Sequence, residues 1–193
     1  MDELGFNASF NELSLLILEV LKNEKAKLKQ ICFEISETLK KNGQVFWCGN
    51  GGSAAESQHL SAELSGRMKL VRRPFSSSSL NADSALLTCI GNDFGFKYVF
   101  SRQLQAQAKE NDVLIVLSTS GQSENVIEAL KTAKKMNVKT IALLGKDGGK
   151  AKDYSDITLI VNSEDTPRIQ EVHLLIGHET VSYTHLTLPT ILL

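Results

Sequence analysis

Four side chains that can bind a metal ion or transfer a proton lie on two predicted helices. His59 and Glu63 are four residues apart, so a helix places them on one face. Gln170 and His178 are eight residues apart, about two turns, so both can face one site. Together they form a mixed nitrogen and oxygen set that suits zinc or a similar divalent ion. Taken alone, the spacing of His59 and Glu63 is more typical of a solvated pair, and His173 could be a packed residue or a further contact.

The chemistry that such a set would serve is the interconversion of a phosphorylated aldose and ketose. This reaction passes through an enediol, so it needs a base for the carbon-bound proton and an acid for the carbonyl oxygen. A metal ion or hydrogen-bond donors can stabilise the enediolate oxygen. Glu63 is the candidate for moving the proton between carbons, and His178 for serving the oxygens. Both roles require a substrate bound within reach of the two side chains.

A glycine-rich turn, Gly49–Ser53, follows the first predicted strand. Its glycines bring backbone amides close to a ligand, and the helix that begins at Ser53 directs its N-terminal amides to the same place. The turn lacks the lysine of a P-loop and does not match G-x-G-x-x-G. A tight strand-to-helix connection explains the glycines equally well, so this turn alone does not decide between an anion site and a simple turn.

A second turn, Ser118–Ser123, directly follows the clearest predicted strand, Val113–Leu117. Four hydroxyl side chains surround a glycine there, before a helix that Ser123 would cap. Ligands of open α/β sheets bind outside the carboxyl ends of the strands, and hydroxyls with backbone amides suit a phosphate monoester. Serine, threonine and glycine are also normal turn and cap residues. Because the hydroxyls exceed what capping requires, we predict a phosphate site.

Alternating strands and helices must position these residues. We predict strands at 44–48, 76–80, 113–117, 138–144 and 157–161. We predict helices at 8–22, 24–41, 53–64, 83–90, 123–136 and from Thr166 onward. This order predicts a doubly wound α/β fold with a five-stranded parallel sheet and helices on both faces. In the first helix, Leu15 and Leu18 widen the apolar stripe beyond one packed face, which indicates a helical bundle or a subunit interface.

Composition limits the classes of partner. The 193 residues carry a net charge of −1, so no basic excess points to nucleic acid and no basic run points to an anionic membrane. The apolar stretches are too short to span a bilayer, and the N-terminus has no signal-peptide pattern. Three dispersed cysteines predict buried thiols in a reducing compartment rather than disulfides. We therefore expect a cytoplasmic location.

Seven longer motifs extend these observations. They are C-G-N-G-G-S at Cys48–Ser53, H-L-S-A-E-L-S-G-R at His59–Arg67, G-N-D-F-G-F at Gly91–Phe96, F-S-R at Phe100–Arg102, S-T-S-G-Q-S-E-N-V at Ser118–Val126, L-L-G-K-D-G-G-K at Leu143–Lys150 and R-I-Q-E-V-H at Arg168–His173. Together they resemble the sugar-isomerase (SIS) domain family and, within it, the isomerases of phosphorylated heptoses. The resemblance covers roughly residues 1–178 and is specific because the motifs occur together.

The resemblance implies a role for each matched residue. The implied ligands of one zinc ion per subunit are His59, Glu63, Gln170 and His178. The implied acid–base pair is Glu63 and His178. The implied phosphate contacts are Ser118, Thr119, Ser120 and Ser123. The implied sugar contacts are Asn50, Gly51, Gly52, Glu63, Asn92, Asp93 and Gln170.

The resemblance also implies a reaction and an assembly. The reaction would convert sedoheptulose 7-phosphate to D-glycero-D-manno-heptose 7-phosphate, the first step of ADP-heptose synthesis for lipopolysaccharide or capsule. The assembly would be a homotetramer joined through the N-terminal helices, with the active sites between subunits. Two motifs have simpler interpretations from residue type. The G-N-D motif at Gly91–Asp93 is a good turn, which only the resemblance places in the site, and Lys146–Lys150 is predicted to be a solvated turn.

The sequence departs from the family pattern after His178. Threonines and Val181 are poor helix formers, and Pro189 would break a helix, so we predict that the helix loses support beyond His178. We assign His185 no role. The predicted organisation is an N-terminal helical segment at 1–42, an SIS domain at 43–178 and an atypical tail at 179–193 that is foreign to the fold.

Two other functions fit parts of the pattern. A non-catalytic SIS protein would bind a phosphosugar or a protein partner, but it would not need the four predicted ligands His59, Glu63, Gln170 and His178, all of which this chain has. A related SIS enzyme could act on another sugar phosphate, because a hydroxyl loop recognises the phosphate and not the number of carbons.

Overall fold

The structure, a computed structural model, describes residues 3–187. Within residues 3–187, four apolar strands and one short strand of serines form a single parallel sheet in the order β2–β1–β3–β4–β5. The strands are β1 (Val45–Gly49), β2 (Ser77–Ser79), β3 (Val113–Ser118), β4 (Lys139–Gly145) and β5 (Ile157–Val161). All residues of β1 and β3 are buried, as expected for central strands covered on both faces. The predicted fold class is therefore confirmed, including the weak edge strand.

Within the described residues, seven α-helices cover the two faces of the sheet. They are α1 (Glu3–Asn23), α2 (Lys25–Lys40), α3 (Gly52–Ser65), α4 (Ser84–Phe94), α5 (Ser101–Gln107), α6 (Glu124–Lys135) and α7 (Thr166–Thr187). Helices α1, α2, α3 and α7 pack on the face that carries Val45 and Trp47. Helices α4, α5 and α6 pack on the face that carries Phe46 and Cys48. Alternate residues of β1 thus point into two separate cores, which is why the strand is apolar at every position.

The carboxyl ends of β1 and β3 lie side by side. Gly49 at the end of β1 is paired with Leu117, one residue before the end of β3. The two predicted ligand loops, Gly49–Ser53 and Ser118–Ser123, therefore leave the sheet next to each other. This arrangement follows from the parallel register, which brings equivalent ends of neighbouring strands to one edge.

The end of α7 differs from the prediction. The helix continues to Thr187, whereas the sequence predicts that its support is lost after His178. Val181 and Thr184 are buried, and the hydroxyl of Thr184 donates to the Val181 carbonyl oxygen at 2.7 Å. Burial and this internal hydrogen bond outweigh the low helix propensity of threonine, because propensity is only a weak preference. Pro189 lies outside the described residues.

His185 also has a structural role that the sequence analysis denied it. The guanidinium of Arg72 donates to His185 Nδ1 at 3.2 Å, and to the carbonyl oxygens of Glu63 and Leu64 at 2.8 Å each. Arg72 is only 6% exposed. This buried guanidinium therefore ties the end of α7 to the end of α3, the two helices that carry the candidate metal ligands.

Helix α1 presents an exposed apolar surface, with Phe10, Leu15 and Leu18 each more than 60% exposed. Such a surface is unusual for a monomer, so it supports the predicted subunit interface without identifying the partner. No helix within residues 3–187 is long and apolar enough to cross a membrane. Cys32 and Cys48 are buried free thiols as predicted, but Cys89 is exposed on α4, contrary to the prediction that all three thiols are buried.

Candidate active site

Three of the predicted ligands meet between α3 and α7. His59 Nε2 and His178 Nε2 are 3.0 Å apart. Glu63 Oε1 lies 3.4 Å from His59 Nε2 and 3.5 Å from His178 Nε2. The two imidazole rings meet edge to face, with centroids 5.2 Å apart. Helical spacing aligns His59 with Glu63, and the packing of α7 against α3 brings His178 to them.

The shape of this triangle fits a divalent ion. Two ligands of a tetrahedral zinc ion with bonds of about 2.0–2.1 Å are about 3.3–3.4 Å apart, and the three observed separations of 3.0, 3.4 and 3.5 Å lie around that value. The donors, two imidazole nitrogens and one carboxylate oxygen, are those that zinc takes in catalytic sites. Glu63 Oε2 is buried and has no hydrogen-bond partner among the described residues. One carboxylate oxygen therefore faces the histidines while the other is uncommitted.

Gln170 meets α3 nearer to the start of that helix than the triangle does. Its side-chain amide packs on Gly52, so closely that a Cβ on Gly52 would come within 2.4 Å of Nε2. Along α3, Gly52 is seven residues before His59, which corresponds to about 10 Å. Gln170 and His178 thus both face α3 but at different positions along its axis. The structure brings together three of the four predicted zinc ligands within one chain, and places Gln170 beside the predicted sugar contact Gly52.

The first loop turns sharply between β1 and α3. Gly51 has a φ of +57°, in the left-handed region that favours glycine, and the helix begins at the next residue. Asn81 holds one side of the loop: its Nδ2 donates to the Gly49 carbonyl oxygen at 2.9 Å, and its Oδ1 accepts from the Gly49 amide at 3.2 Å. Asn125 holds the other side through Asn50. The predicted contacts Asn50, Gly51 and Gly52 are therefore fixed at the carboxyl edge of the sheet.

The hydroxyl loop leaves β3 beside the first loop. Its tight turn is closed by the Gly121 amide, which donates to Ser118 Oγ at 3.0 Å, and by the Gln122 amide, which donates to Ser120 Oγ at 3.2 Å. Ser123 occupies the N-cap position of α6, but its hydroxyl makes no capping hydrogen bond to the described residues. The hydroxyls of Thr119 and Ser123 are thus not needed to close the loop, as expected if they bind an anion.

The Lys146–Lys150 turn supports this loop from behind. Gly148 and Gly149 are buried, so the prediction of a solvated turn is wrong for the centre of this segment. A Cβ on Gly121 would lie 2.0 Å from the Gly148 carbonyl oxygen, and the Ala151 amide donates to the Gly121 carbonyl oxygen at 2.9 Å. Backbone packs directly on backbone here, which only glycine allows. The turn therefore fixes the position of the hydroxyl loop.

Asn92 and Asp93 lie on the exposed last turn of α4 rather than in an isolated turn. Asn92 Nδ2 donates to Asp93 Oδ1 at 2.8 Å, and the Cys89 thiol contacts Asp93 Oδ2 at 3.7 Å. Neither side chain contacts the other predicted site residues within the described part of the chain. His173 is fully buried, and this burial lowers its pKa to about 4, so it is a packed neutral residue and not a ligand.

Sequence analysis missed a second carboxylate on the active face of α3. Glu56 is three residues before His59 and seven before Glu63, so all three share one side of the helix. Glu56 Oε2 is buried without a hydrogen-bond partner among the described residues. This burial raises the pKa of Glu56 to about 7, although a hydrogen bond with the Ser53 side chain opposes the rise. The i, i+3, i+7 spacing was the available signal for this residue.

We expect the Glu56→Gln variant to be more stable than the wild-type protein at pH 8 and equally stable at pH 4.5. The pKa of the Glu56 carboxyl is 4.5 in the unfolded chain and about 7 in the folded protein, so this carboxyl contributes its full stability to the fold below pH 4.5. That contribution is lost as the pH rises through about 7. For a half-buried group the gain at pH 8 should be about 2–4 °C in Tm. Thermal unfolding of chelator-treated protein would measure it. The exposed Glu110→Gln serves as the control, and an equal gain in both variants would contradict the burial argument.

Comparisons with known proteins agree with this geometry. The sequence model of the SIS domain matches residues 9–145. The phosphoheptose isomerase of Helicobacter pylori is 51% identical over 158 residues, covering 82% of each chain. The structure of a phosphoheptose isomerase from Neisseria gonorrhoeae superposes with a TM-score of 0.88 at 38% identity, over 93% of this chain and 96% of that one. One from Francisella tularensis gives 0.91 at 32% identity, over 95% and 98%.

Proposed function

This chain belongs to the SIS domain family and, within it, to the phosphoheptose isomerases, and we propose that it converts sedoheptulose 7-phosphate to D-glycero-D-manno-heptose 7-phosphate. The observation that carries the proposal is the triangle of His59, Glu63 and His178. It lies between α3, the helix that follows the glycine-rich loop, and α7. Aldose–ketose isomerisation needs a base and an acid placed around adjacent carbons, and the triangle supplies both groups.

The two oxygens of Glu63 have different surroundings, which suits a base that also contacts a metal. Oε1 faces the histidines at 3.4 and 3.5 Å, whereas Oε2 is uncommitted. We assign to the Glu63 carboxylate the proton that leaves the carbon next to the carbonyl and returns to the neighbouring carbon, with Oε2 turning from its buried position towards the substrate. His178 moves the proton between the two oxygens of the enediol. Each group returns to its starting protonation state, so the net change is one hydrogen transferred between the adjacent carbons and one proton transferred between their oxygens.

The cofactor in this proposal is one zinc ion per subunit. His59, Glu63 and His178 would hold it, and Gln170 stays the predicted fourth ligand. When bound, a divalent ion supplies positive charge that stabilises the developing enediolate oxygen. The 3.0 Å contact between the two Nε2 atoms is compatible with the assignment, because two imidazoles protonated on Nδ1 can both direct their Nε2 lone pairs to one cation, whereas without a cation one Nε2–H donates to the other nitrogen.

Substrate binding is assigned to the two loops. We propose that Ser118, Thr119, Ser120 and Ser123 bind the phosphate, because hydroxyls and the N-terminal amides of α6 converge there. Asn50, Gly51 and Gly52 would contact the sugar, with Gln170 beside Gly52. This places the phosphate at one loop and the reacting carbons towards the other.

The assembly proposed is a homotetramer with active sites between subunits. The exposed apolar surface of α1 supports an interface, and we assign the contacts of Asn92 and Asp93, which lie on an exposed turn of α4, to a neighbouring subunit's site. We propose no nucleic-acid or membrane partner and a cytoplasmic location. The product would enter heptose synthesis for lipopolysaccharide or capsule.

The proposed function predicts turnover of sedoheptulose 7-phosphate that depends on a metal ion. We expect the zinc-loaded wild-type protein to isomerise the heptulose, and prolonged chelation to lower the rate by at least about a hundredfold, with recovery on adding zinc. A coupled assay that detects the aldose product would measure this. No conversion with zinc present would overturn the enzyme assignment. Faster turnover of a hexulose 6-phosphate would instead favour a related SIS isomerase.

A further inference from the structure

A buried pair of amides joins the two substrate loops. Asn50 Nδ2 donates to Asn125 Oδ1 at 2.9 Å, and Asn125 Nδ2 donates back to Asn50 Oδ1 at 2.8 Å. Asn50 belongs to the loop after β1, and Asn125 lies in the first turn of α6, directly after the hydroxyl loop. The two residues are 75 positions apart in sequence. Of the described hydrogen bonds, these are the ones that connect the first loop to the start of α6.

Asn125 has no acceptor lone pair left for a substrate, and its side chain is almost fully buried. Its Oδ1 also accepts from the Val126 amide at 3.0 Å, so both lone pairs of this oxygen are used. Asn125 is 3% exposed, whereas Asn50 is half-buried. The pair occupies one N–H and one lone pair of the Asn50 amide, which leaves the other N–H and the other lone pair free. Asn125 therefore determines which way the free edge of Asn50 points.

The same contact explains why Ser123 does not cap α6. The N-terminal amides of a helix need acceptors, and the N-cap side chain normally supplies one. Here Asn125 Oδ1 accepts from Val126, and the Ser123 hydroxyl makes no capping bond to the described residues. Asn125 thus takes over the capping of α6 while it orients Asn50 across the gap between the loops.

We propose that Asn125 is a positioning residue that acts through Asn50. By locking the Asn50 amide to the start of α6, it fixes the distance and angle between the sugar contact and the phosphate contacts, and so the chain length of the sugar phosphate that fits. This inference rests on the proposed function. Asn81 cannot do the same, because it holds the backbone of Gly49 and makes no described hydrogen bond to the hydroxyl loop.

A double-mutant cycle tests this proposal on the zinc-loaded protein. Asn125→Ala should lower kcat/KM for sedoheptulose 7-phosphate about tenfold or more, the usual loss for one or two buried hydrogen bonds. In the Asn50→Ala background the same substitution should change kcat/KM less than about twofold, because the group that it orients is gone. The inhibition constant of inorganic phosphate should change less than about twofold, because the phosphate loop stays in place.

Two controls separate positioning from folding. Thr140→Val removes a buried hydroxyl that donates to Asp156 Oδ2 at 2.9 Å and accepts from the Asp156 amide, at the opposite edge of the sheet from the two loops, and should lower Tm without altering kcat/KM. If Asn125→Ala does not fold, Asn125→Ser replaces it in the cycle, because a neutral hydroxyl can still accept from the first amides of α6, removes the amide pair with Asn50 and adds no charge beside the phosphate loop.

The outcomes are distinct. Asn125→Ala could lower kcat/KM equally in the wild-type protein and in the Asn50→Ala variant, or it could weaken the binding of inorganic phosphate as much as it lowers kcat/KM. Either result would overturn the positioning role and make Asn125 a structural residue only. Failure of the wild-type protein to turn over the heptulose would instead overturn the proposed function. The proposal is supported if Asn125→Ala lowers kcat/KM only when Asn50 is present and leaves the inhibition constant of inorganic phosphate unchanged.

Discussion

The Glu63→Gln variant is expected to lose between about a hundredfold and ten-thousandfold in kcat for heptulose isomerisation. Glutamine matches the shape of glutamate but cannot accept the carbon-bound proton. Because that proton is transferred only in the transition state, kcat and kcat/KM should fall equally while KM stays nearly constant. Steady-state kinetics on zinc-loaded protein would measure the loss, and the exposed Glu110→Gln is the matched control.

A measurement of bound zinc distinguishes the two roles of Glu63. Glutamine keeps an oxygen that can face His59 and His178, so the zinc content should fall only in part. If Glu63 were only a ligand, activity would follow zinc content and return at high zinc concentration. Restored turnover in zinc-saturated Glu63→Gln would therefore contradict the assignment of Glu63 as the base.

The parts of the site that the sequence predicts are those encoded by local patterns. The i, i+4 spacing of His59 and Glu63 needs only a helix, and the hydroxyl loop needs only a strand that ends at Leu117 and a helix that follows. The sheet follows from buried apolar runs alternating with amphipathic helices. The signal for the helix, for the loop and for each separate strand lies within one short stretch of sequence, although the strands themselves are spread from Val45 to Val161.

The features that the sequence did not predict depend on contacts between distant segments. Arg72 meets His185 across 113 residues, and that contact, with burial of Val181, keeps α7 helical where its threonines predict otherwise. The separation of Gln170 from His178 depends on how α7 lies along α3, because eight residues of spacing cannot show which part of the neighbouring helix each side chain meets. Tertiary packing, and not the local sequence, determines both the helical end of α7 and the positions of Gln170 and His178 along α3.

The burial of the Lys146–Lys150 turn has the same kind of cause. Two glycines beside lysines and an aspartate are typical of an exposed turn. In the structure the lysines point outward at the ends of the segment, while Gly148 and Gly149 pack on the hydroxyl loop. The glycines are thus required by a close approach of backbones and not only by the turn itself. This contact provides a strong test of the phosphate site.

We expect Gly121→Ala to weaken phosphosugar binding by about ten- to a hundredfold and to lower stability by about 2–4 kcal/mol. The new Cβ would lie 2.0 Å from the Gly148 carbonyl oxygen and 2.9 Å from the Gly149 amide nitrogen, so one backbone segment must move. The φ of +61° adds strain for alanine. Displacement of the loop would separate the hydroxyls that bind phosphate. Inhibition by inorganic phosphate and thermal unfolding would measure the two effects.

Gly43→Ala provides a matched control for this substitution at the opposite edge of the sheet. Its Cβ would lie 2.3 Å from the Asn111 carbonyl oxygen, so it imposes a comparable backbone clash before β1, far from the loops that follow β1 and β3. We expect it to lower Tm but to leave the inhibition constant of inorganic phosphate within about twofold, because local strain at that edge does not displace Ser118–Ser123. Equal weakening of phosphate binding in both variants would mean that Gly121 acts through global stability. Weakening confined to Gly121→Ala would support the assignment of the phosphate to the loop that Gly148 and Gly149 hold in place.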